Sequence, residues 1–266
     1  MPYRYFLVPL IACAILYFIW VGYNDSELNA WVLVAFACVV VAIFIFQHQI
    51  NNWWWRALPP KLEPGEKEWI RLYLPYFSRI PEQFHTEFFR ELAKKCLNQE
   101  FISMTKQPVH EEWKWMAIGP AIALRLYQFD SIFEHYIRTA FYPHPFISPD
   151  HPDIHISETH TEDGIMIFST ENLIQVHLKA EQILNPALYE WSKVAAYELK
   201  IECPVEKTDI QHLMTRYLGK NDFQDIIDWM GNKDLDVNAL CLYLYVMAKD
   251  LLPVSAQEKI AAVLFR

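Results

Sequence analysis

Apolar side chains dominate the beginning of the chain and recur with helical spacing in the rest. Two tracts without a charged side chain lie near the N-terminus, at about residues 5–22 and 28–46. As a helix, each is about long enough to cross the roughly 30 Å hydrocarbon core of a bilayer. Because only a short turn with Asp25 and Glu27 separates them, the pattern predicts a transmembrane hairpin over residues 1–56.

Basic residues near the ends of the two tracts determine the expected orientation. Arg4 precedes the first tract, Arg56 and Lys61 follow the second, and the turn between them has no Lys or Arg. Since positive charge is retained on the cytoplasmic side, both termini are expected to face the cytoplasm at the inner (cytoplasmic) membrane. The three tryptophans at 53–55 follow the second tract, where an interfacial aromatic belt would lie.

The rest of the chain is predicted to fold as one α+β domain that is mostly helical. Prolines and one glycine punctuate residues 57–65, which are expected to form a linker to a domain at 66–266. In this domain, segments with helical spacing of apolar residues alternate with short strand-like segments. Helices are expected over residues 66–77, 80–97 and 111–127 and from 185 to the C-terminus, and strands within 136–146 and 164–169. Helices, a small sheet and further helices in this order are typical of an α+β fold.

Composition and charge limit the partners and the chemistry. The chain carries a formal net charge of -9 without a basic run, which argues against nucleic acid as a partner. None of its five cysteines forms a C-x-x-C pair, so neither a disulfide framework nor a thiolate zinc site is expected. With six glycines in all, the chain has no phosphate-binding loop motif and no G-x-S-x-G. The candidate chemistry is therefore sought among the histidines.

Histidines and acidic residues are concentrated between residues 141 and 160. His144, His151, His155 and His160 lie there together with three acidic residues, and these are residue types that ligate zinc. In an extended chain His151 and His155 would be about 13 Å apart, so a shared metal requires the segment to fold back. Two interpretations stay open, a solvated polar loop and a metal centre at the four histidines.

Three stretches past residue 64 carry a resemblance to a known family. They are GEKEWIRLYLPYFSRIPEQFHTEFFRELAKKCLNQEF, AIGPAIALRLYQFDSIFEHYIRTAFYPHPF and ETHTEDGIMIFSTENL. Their content and order resemble the zinc peptidases typified by the Mlc titration factor A (MtfA). The family pattern is matched at Tyr76, Ile80, Pro81, Phe89, Phe101, Tyr142, Pro143, Phe146, Glu158, Gly164 and Ser169. The resemblance covers roughly residues 65–202 and implies a zincin-like domain.

The resemblance also implies that the catalytic residues are missing. The family's catalytic helix reads His-Glu-Phe-Ala-His, where the histidines bind zinc and the glutamate is the general base. When residues 200–202 are matched to the end of that motif, Ala195 and Leu199 take the histidine positions and Ala196 the glutamate position. The family's downstream zinc-binding glutamate has no counterpart, since residues 207–257 contain no glutamate. No catalytic residue, cofactor or peptidase activity is therefore expected.

Three functional hypotheses follow from the sequence. The first is a membrane-anchored, catalytically inactive relative of the MtfA-type zinc peptidases, held in the lipid bilayer by its hairpin and acting by binding a cytoplasmic protein partner. The second is a metal-dependent hydrolase with a relocated zinc centre at His144, His151, His155 and His160. The third is a membrane-tethered structural domain.

Overall fold

The computed structural model describes residues 3–24, 29–58, 61–126, 133–149, 151–179 and 181–264. The chain divides into two compact units, Met1–Pro60 and Lys61–Arg266. The boundary between them falls within the segment predicted as a linker. The turn predicted around Asp25 and Glu27 lies outside the described residues, as do Tyr127 and Asp150.

The first unit contains α1 (Tyr3–Tyr23), α2 (Ala30–Ile45) and α3 (Gln47–Ala57). By length and composition, α1 is apolar enough to cross a membrane. The second helix has 16 residues and passes the same test only together with α3, from which it is bent by 71°. Within the described part of the chain, one helix therefore qualifies as a membrane span, or two if the bent pair acts as one span.

The second unit is a mixed α+β domain, as the sequence predicts. Its helices are α4 (Pro64–Tyr73), α5 (His85–Asn98), α6 (Glu111–Arg125), α7 (Thr170–Leu178), α8 (Pro186–Glu198), α9 (Lys207–Tyr217), α10 (Gln224–Met230), α11 (Val237–Met247) and α12 (Val254–Leu264). Its strands are β1 (Glu100–Ser103), β2 (Arg138–Tyr142), β3 (Ser157–His160) and β4 (Ile165–Ser169). Short 3-10 turns lie at Pro75–Arg79, Glu82–Phe84 and Lys249–Leu251.

The strands form one mixed sheet in the order β1-β2-β4-β3. The first three strands in this order run parallel, and β3 pairs antiparallel with β4, with Ser157 opposite Phe168. β3 is therefore an edge strand. The sequence pattern predicts β2 and β4 but not β1 or β3, because each of the latter is only four residues long.

The core of the domain surrounds α8. The indole of Trp191 is fully buried, and its Nε1 donates a hydrogen bond to the carbonyl of Ala117 on α6 at 2.7 Å. On another side, the hydroxyl of Tyr243 on α11 accepts from the amide of Asn185 at 3.3 Å. Burying aromatic side chains of this size makes large hydrophobic contributions to stability. The packing fixes α8 between its neighbours and against the sheet.

Local sequence signals determine where α8 begins and ends. Asn185 is its N-cap and accepts from the amide of Leu188 at 3.1 Å, while Pro186 takes the first helical position. After the helix, Lys200 adopts a left-handed conformation with φ of 52°, which ends the run of helical hydrogen bonds. Residues 186–192 are buried on every face of the helix, so a charged side chain among them needs a partner inside the protein.

Candidate functional site

A cleft of about 500 Å³ opens beside the edge strand β3. Its walls are β3, the middle of α8, the segment 151–153 and the loop 231–236 that precedes α11. This volume lies within the roughly 300–1,000 Å³ of typical ligand sites. Most of the lining side chains are polar or charged, so the cleft suits a polar ligand or a polypeptide backbone.

The carboxylate of Glu190 lies at the base of the cleft and is 1% exposed. Two hydroxyls of β3 donate to it, Ser157 Oγ at 3.0 Å and Thr159 Oγ1 at 2.7 Å. The Nζ of Lys193, one turn further along α8, lies 2.6 Å from Oε2. These contacts tie the edge strand β3 to the buried helix α8.

The partners of Glu190 keep it ionised in spite of its burial. Burial alone raises the pKa of this carboxyl, but the Lys193 ammonium and the hydrogen bonds from Lys193, Thr159 and Ser157 outweigh that effect and hold the pKa below its usual value. The base of the cleft therefore carries a compensated pair of opposite charges.

Tyr189 connects the same helix to the opposite wall. Its hydroxyl accepts a hydrogen bond from the amide of Asp236 at 2.9 Å, and its ring is 2% exposed. Burial, followed by the negative charge of Glu190, raises the pKa of this phenol well above its usual value. Tyr189 therefore stays protonated and keeps a hydrogen to donate.

The loop 231–236 is held tightly against the histidine-rich segment. Gly231 has a φ of 72°, and a Cβ at this position would lie 2.1 Å from the carbonyl oxygen of Ile154. The amide of Ile156 also donates to the carbonyl of Met230 at 3.3 Å. Because only glycine fits this approach, Gly231 determines the shape of the wall.

Exposed ion pairs line the rim. Lys233 Nζ lies 3.1 Å from Asp153 Oδ2, and Lys207 Nζ lies 2.5 Å from Asp234 Oδ2. Each of these side chains is at least half exposed, so the pairs contribute little to stability. By contrast, the carboxylate of Glu190 at the base of the cleft is almost fully shielded from water.

The histidine-rich segment folds back on itself. Phe146 and His155 form an antiparallel bridge in which both N–O distances are 2.9 Å. The ring centroids of His151 and His155 are consequently 5.4 Å apart, much closer than in an extended chain. The interpretation as a solvated loop is wrong for His155, which is 1% exposed, because bridge formation and the pairing of β3 bury this end of the segment.

Two histidines converge on the buried carboxylate of Glu158. Nε2 of His155 lies 3.3 Å and Nε2 of His160 lies 3.4 Å from the same oxygen, Oε2. Ser148 Oγ donates to the other oxygen at 3.0 Å. Glu158 is 5% exposed, so this second carboxylate is also compensated by protein groups.

His155 bridges Glu158 and the backbone through its two ring nitrogens. Nδ1 of His155 lies 2.8 Å from the carbonyl oxygen of Asp153, which can only accept, so Nδ1 is the donor of this hydrogen bond. Nε2 lies 3.3 Å from Oε2 of Glu158. Both ring nitrogens of this buried histidine are therefore engaged with protein groups.

The four candidate zinc-binding histidines do not share one site. His144 is paired through Nδ1 with Glu171 Oε2 at 2.8 Å, and the other three lie along the folded-back segment and β3. Over the residues that the structure describes, no group of three or more His, Cys, Asp or Glu side chains is arranged to hold a metal ion. A zinc centre here would require these side chains to rearrange.

The residues that the family pattern assigns to the zinc site do not line the cleft. Ala195 and Ala196 are buried in the core, and Leu199 packs against it beyond the end of α8. Sequence reasoning missed the cleft residues of α8. One signal for them exists, because Glu190 and Lys193 interrupt the otherwise apolar stretch PALYEWSKVAAY at i, i+3 spacing.

No family model, curated protein or solved structure matches this chain. The relationship to the MtfA-type zinc peptidases therefore stays a prediction from the sequence. A function has to be inferred from the cleft and its charged side chains.

Proposed function

We propose that the protein is a membrane-anchored, catalytically inactive relative of the MtfA-type zinc peptidases that binds a segment of a partner protein in the cleft beside β3. The observation that carries the proposal is the ion pair at the base of this cleft between the buried Glu190 and the partly exposed Lys193. A zinc peptidase would need its general base and a metal ligand at such a place. Here an ammonium group stands beside the carboxylate, and the cleft above remains about 500 Å³ in volume.

The spacing of the cleft residues on α8 supports the relationship. Tyr189, Glu190 and Lys193 occupy positions i, i+1 and i+4, which is the spacing of the two histidines and the glutamate in H-E-x-x-H. In this alignment the glutamate is retained and both zinc ligands are replaced. This alignment places the motif at residues 189–193, six positions before the alignment to residues 195–199. Neither of these two segments contains a histidine.

The side chains on α8 are unsuited to metal-dependent hydrolysis. The ammonium of Lys193 has no free electron pair for a metal, and the raised pKa of Tyr189 keeps its oxygen protonated. Without a metal, a water molecule keeps a pKa far too high for attack on a peptide bond at neutral pH. Binding without cleavage is the function that these residues support.

The position of β3 supports a polypeptide as the ligand. In the described residues its backbone is paired with β4, and its residues 157–159 line the cleft. An extended segment can add to an exposed sheet edge through backbone hydrogen bonds, with side-chain pockets providing specificity. A partner segment lying along residues 157–160 would have the charged base of the cleft beneath it.

Photo-crosslinking in cells tests this proposal. A photoreactive amino acid at Asn232, in the cleft wall, is expected to cross-link a partner protein through an internal segment. The matched control is the same amino acid at Lys106, an exposed position that follows β1 at the opposite edge of the sheet. Equal cross-linking of that partner from both positions, or none from Asn232, would contradict the proposal. If deletion of residues 1–56 abolishes cross-linking, the structural-tether hypothesis is favoured instead.

We also propose that α1 and α2 form the transmembrane hairpin. The ring centroids of Tyr3 and Phe44 are 6.1 Å apart, and the amide of Asn29 donates to the hydroxyl of Tyr17 at 3.2 Å. These pairs link the start of α1 to the end of α2 and the later part of α1 to the residue before α2, which supports an antiparallel arrangement. The tryptophans at 53–55 would then lie at the cytoplasmic interface.

Cysteine labelling tests the hairpin. With the native cysteines replaced, a membrane-impermeant maleimide added to intact cells should label Asn24→Cys and leave Lys106→Cys unlabelled until lysis. Labelling of both positions, or of neither, in intact cells would contradict the proposed topology.

A further inference from the structure

Two of the five cysteines meet in the second unit, outside the cleft. Cys203 lies in the segment after α8, and Cys241 lies on α11. The two thiols are close enough for each to shift the pKa of the other. The structure contains them as free thiols, 38 positions apart in the sequence and without any C-x-x-C spacing.

A backbone contact fixes this juxtaposition. The amide of Cys203 donates to Oδ1 of Asn238 at 2.8 Å, and Asn238 lies one helical turn before Cys241. The hydrogen bond therefore holds the segment after α8 against the same face of α11 that carries the second thiol. Cys203 is partly exposed, whereas Cys241 is fully buried.

The two thiols differ in reactivity. The hydrogen bond from Cys241 lowers the pKa of Cys203, and the backbone amide of Val205 and the positive charge of Lys259 act in the same direction against the effect of burial. The hydrogen bond to Cys203 and burial raise the pKa of Cys241 well above its usual value. The accessible thiol is thus the better nucleophile, and the buried one can act only on a sulfur brought next to it.

We propose that Cys203 and Cys241 form a reversible disulfide with glutathione disulfide as the oxidant. The Cys203 thiolate attacks one sulfur of glutathione disulfide, which gives a mixed disulfide and releases one glutathione thiolate. Cys241 then attacks the Cys203 sulfur, and the second glutathione leaves with the proton of Cys241. In sum, the protein dithiol and glutathione disulfide give the protein disulfide and two molecules of glutathione.

The disulfide would join two elements that reach the cleft. The segment of Cys203 continues α8, which carries Glu190 and Lys193, and the N-terminus of α11 follows the loop 231–236 that forms the cleft wall. In a reducing cytoplasm such bonds are transient and respond to oxidants. The pair is therefore a redox-sensitive clamp between α8 and α11, and its formation does not depend on what the cleft binds.

Oxidation of the purified full chain tests the proposal. The reduced protein, with five thiols, is incubated with glutathione disulfide, and the remaining thiols are blocked with a maleimide after acid quenching. The number of free thiols is expected to fall from five to three. Trypsin digestion should then yield residues 201–207 linked to 234–249, which are the tryptic peptides of the two cysteines.

Two variants complete the design. Cys203→Ser should keep all four of its thiols, whereas the double variant Cys13→Ser/Cys38→Ser should still lose two, leaving one free. The mapping of the linked peptides in the unchanged protein is decisive even where a variant folds poorly. Three outcomes would overturn the proposal: a glutathione adduct on Cys203 that does not go on to the internal disulfide, five unreacted thiols, or a linkage through Cys13 or Cys38.

Discussion

Two buried carboxylates face the cleft, and they are compensated in different ways. Glu190 on α8 is paired with the ammonium of Lys193. Glu158 on β3 faces the imidazoles of His155 and His160, whose Nε2 atoms lie 3.3 Å and 3.4 Å from its Oε2. One side of the cleft thus compensates its carboxylate with a fixed counter-charge, and the other with imidazole contacts.

This difference shows why residue type alone is a poor guide to the site. The side of the cleft with Glu158, here called the histidine side, has the composition of a metal centre, yet its side chains already bond to one another and to nearby backbone. The side with Lys193 contains no histidine, but it carries the helix and the glutamate on which the proposed relationship to the MtfA-type peptidases depends. The following predictions test this contrast.

The largest effect is expected from Gly231→Ala, which displaces the wall next to His155. The new Cβ would meet the carbonyl oxygen of Ile154 at 2.1 Å, and φ is 72°. Overpacking and the left-handed conformation together should lower the free energy of unfolding by about 3 kcal/mol. Gly219→Ala is the matched control, because its φ is 59° but nothing lies within 4 Å of its Cβ. If urea unfolding of the 61–266 unit shows the same loss of unfolding free energy for both variants, the clash at Gly231 is refuted.

Removal of the fixed counter-charge by Lys193→Met should have the next largest effect. Breaking a fully buried pair costs about 3–5 kcal/mol, but the Lys193 side chain is 37% exposed, so about 2 kcal/mol is expected. The double variant Glu190→Gln/Lys193→Met should recover most of this loss in urea unfolding, since no unpaired charge remains. Lys233→Met, at an exposed rim pair, is the control and should cost less than about 1 kcal/mol.

A smaller effect is expected from acid on the same carboxylate. The pKa of Glu190 in the folded protein lies below the ordinary value of 4.5. Its contribution to stability is therefore present above pH 4.5 and is lost as the pH falls through the folded-state pKa, because the unfolded state binds the proton first. Below pH 4.5, unfolding of Glu190→Gln should depend less steeply on pH than unfolding of the unchanged domain. Parallel pH profiles would show that Glu190 is not held ionised.

The smallest expected effect concerns zinc on the histidine side. An untagged fragment that starts near Lys61, purified without chelator, should contain less than about 0.1 zinc per chain, well below the one zinc of a structural or catalytic site. Elemental analysis measures this content. Near-stoichiometric zinc that disappears in His151→Ala/His155→Ala would instead support the relocated metal centre and call for a test of hydrolysis.

Much of the fold was predictable because its signals are local. Apolar residues at Phe84, Phe88, Leu92 and Cys96 predict one buried face, and α5 buries Phe88 and Leu92 completely. The strand patterns likewise predict β2 and β4. Strand β3 was not predictable, because its four residues are mostly polar and become a strand only by pairing with β4.

Residue type and spacing along the chain predict the long apolar helix α1, the α+β character of the domain and the absence of histidine from α8. These depend on uncharged length, periodicity and residue identity, which are properties of neighbouring residues. The contacts of Glu190 with Ser157 and Thr159 depend instead on the folding of the whole domain, since 33 and 31 positions separate them. The contacts of His155 and His160 with Glu158 likewise require β3 and the folded-back segment to be in place. A buried charge needs partners from wherever the fold brings them, and that choice is made by packing across the whole domain.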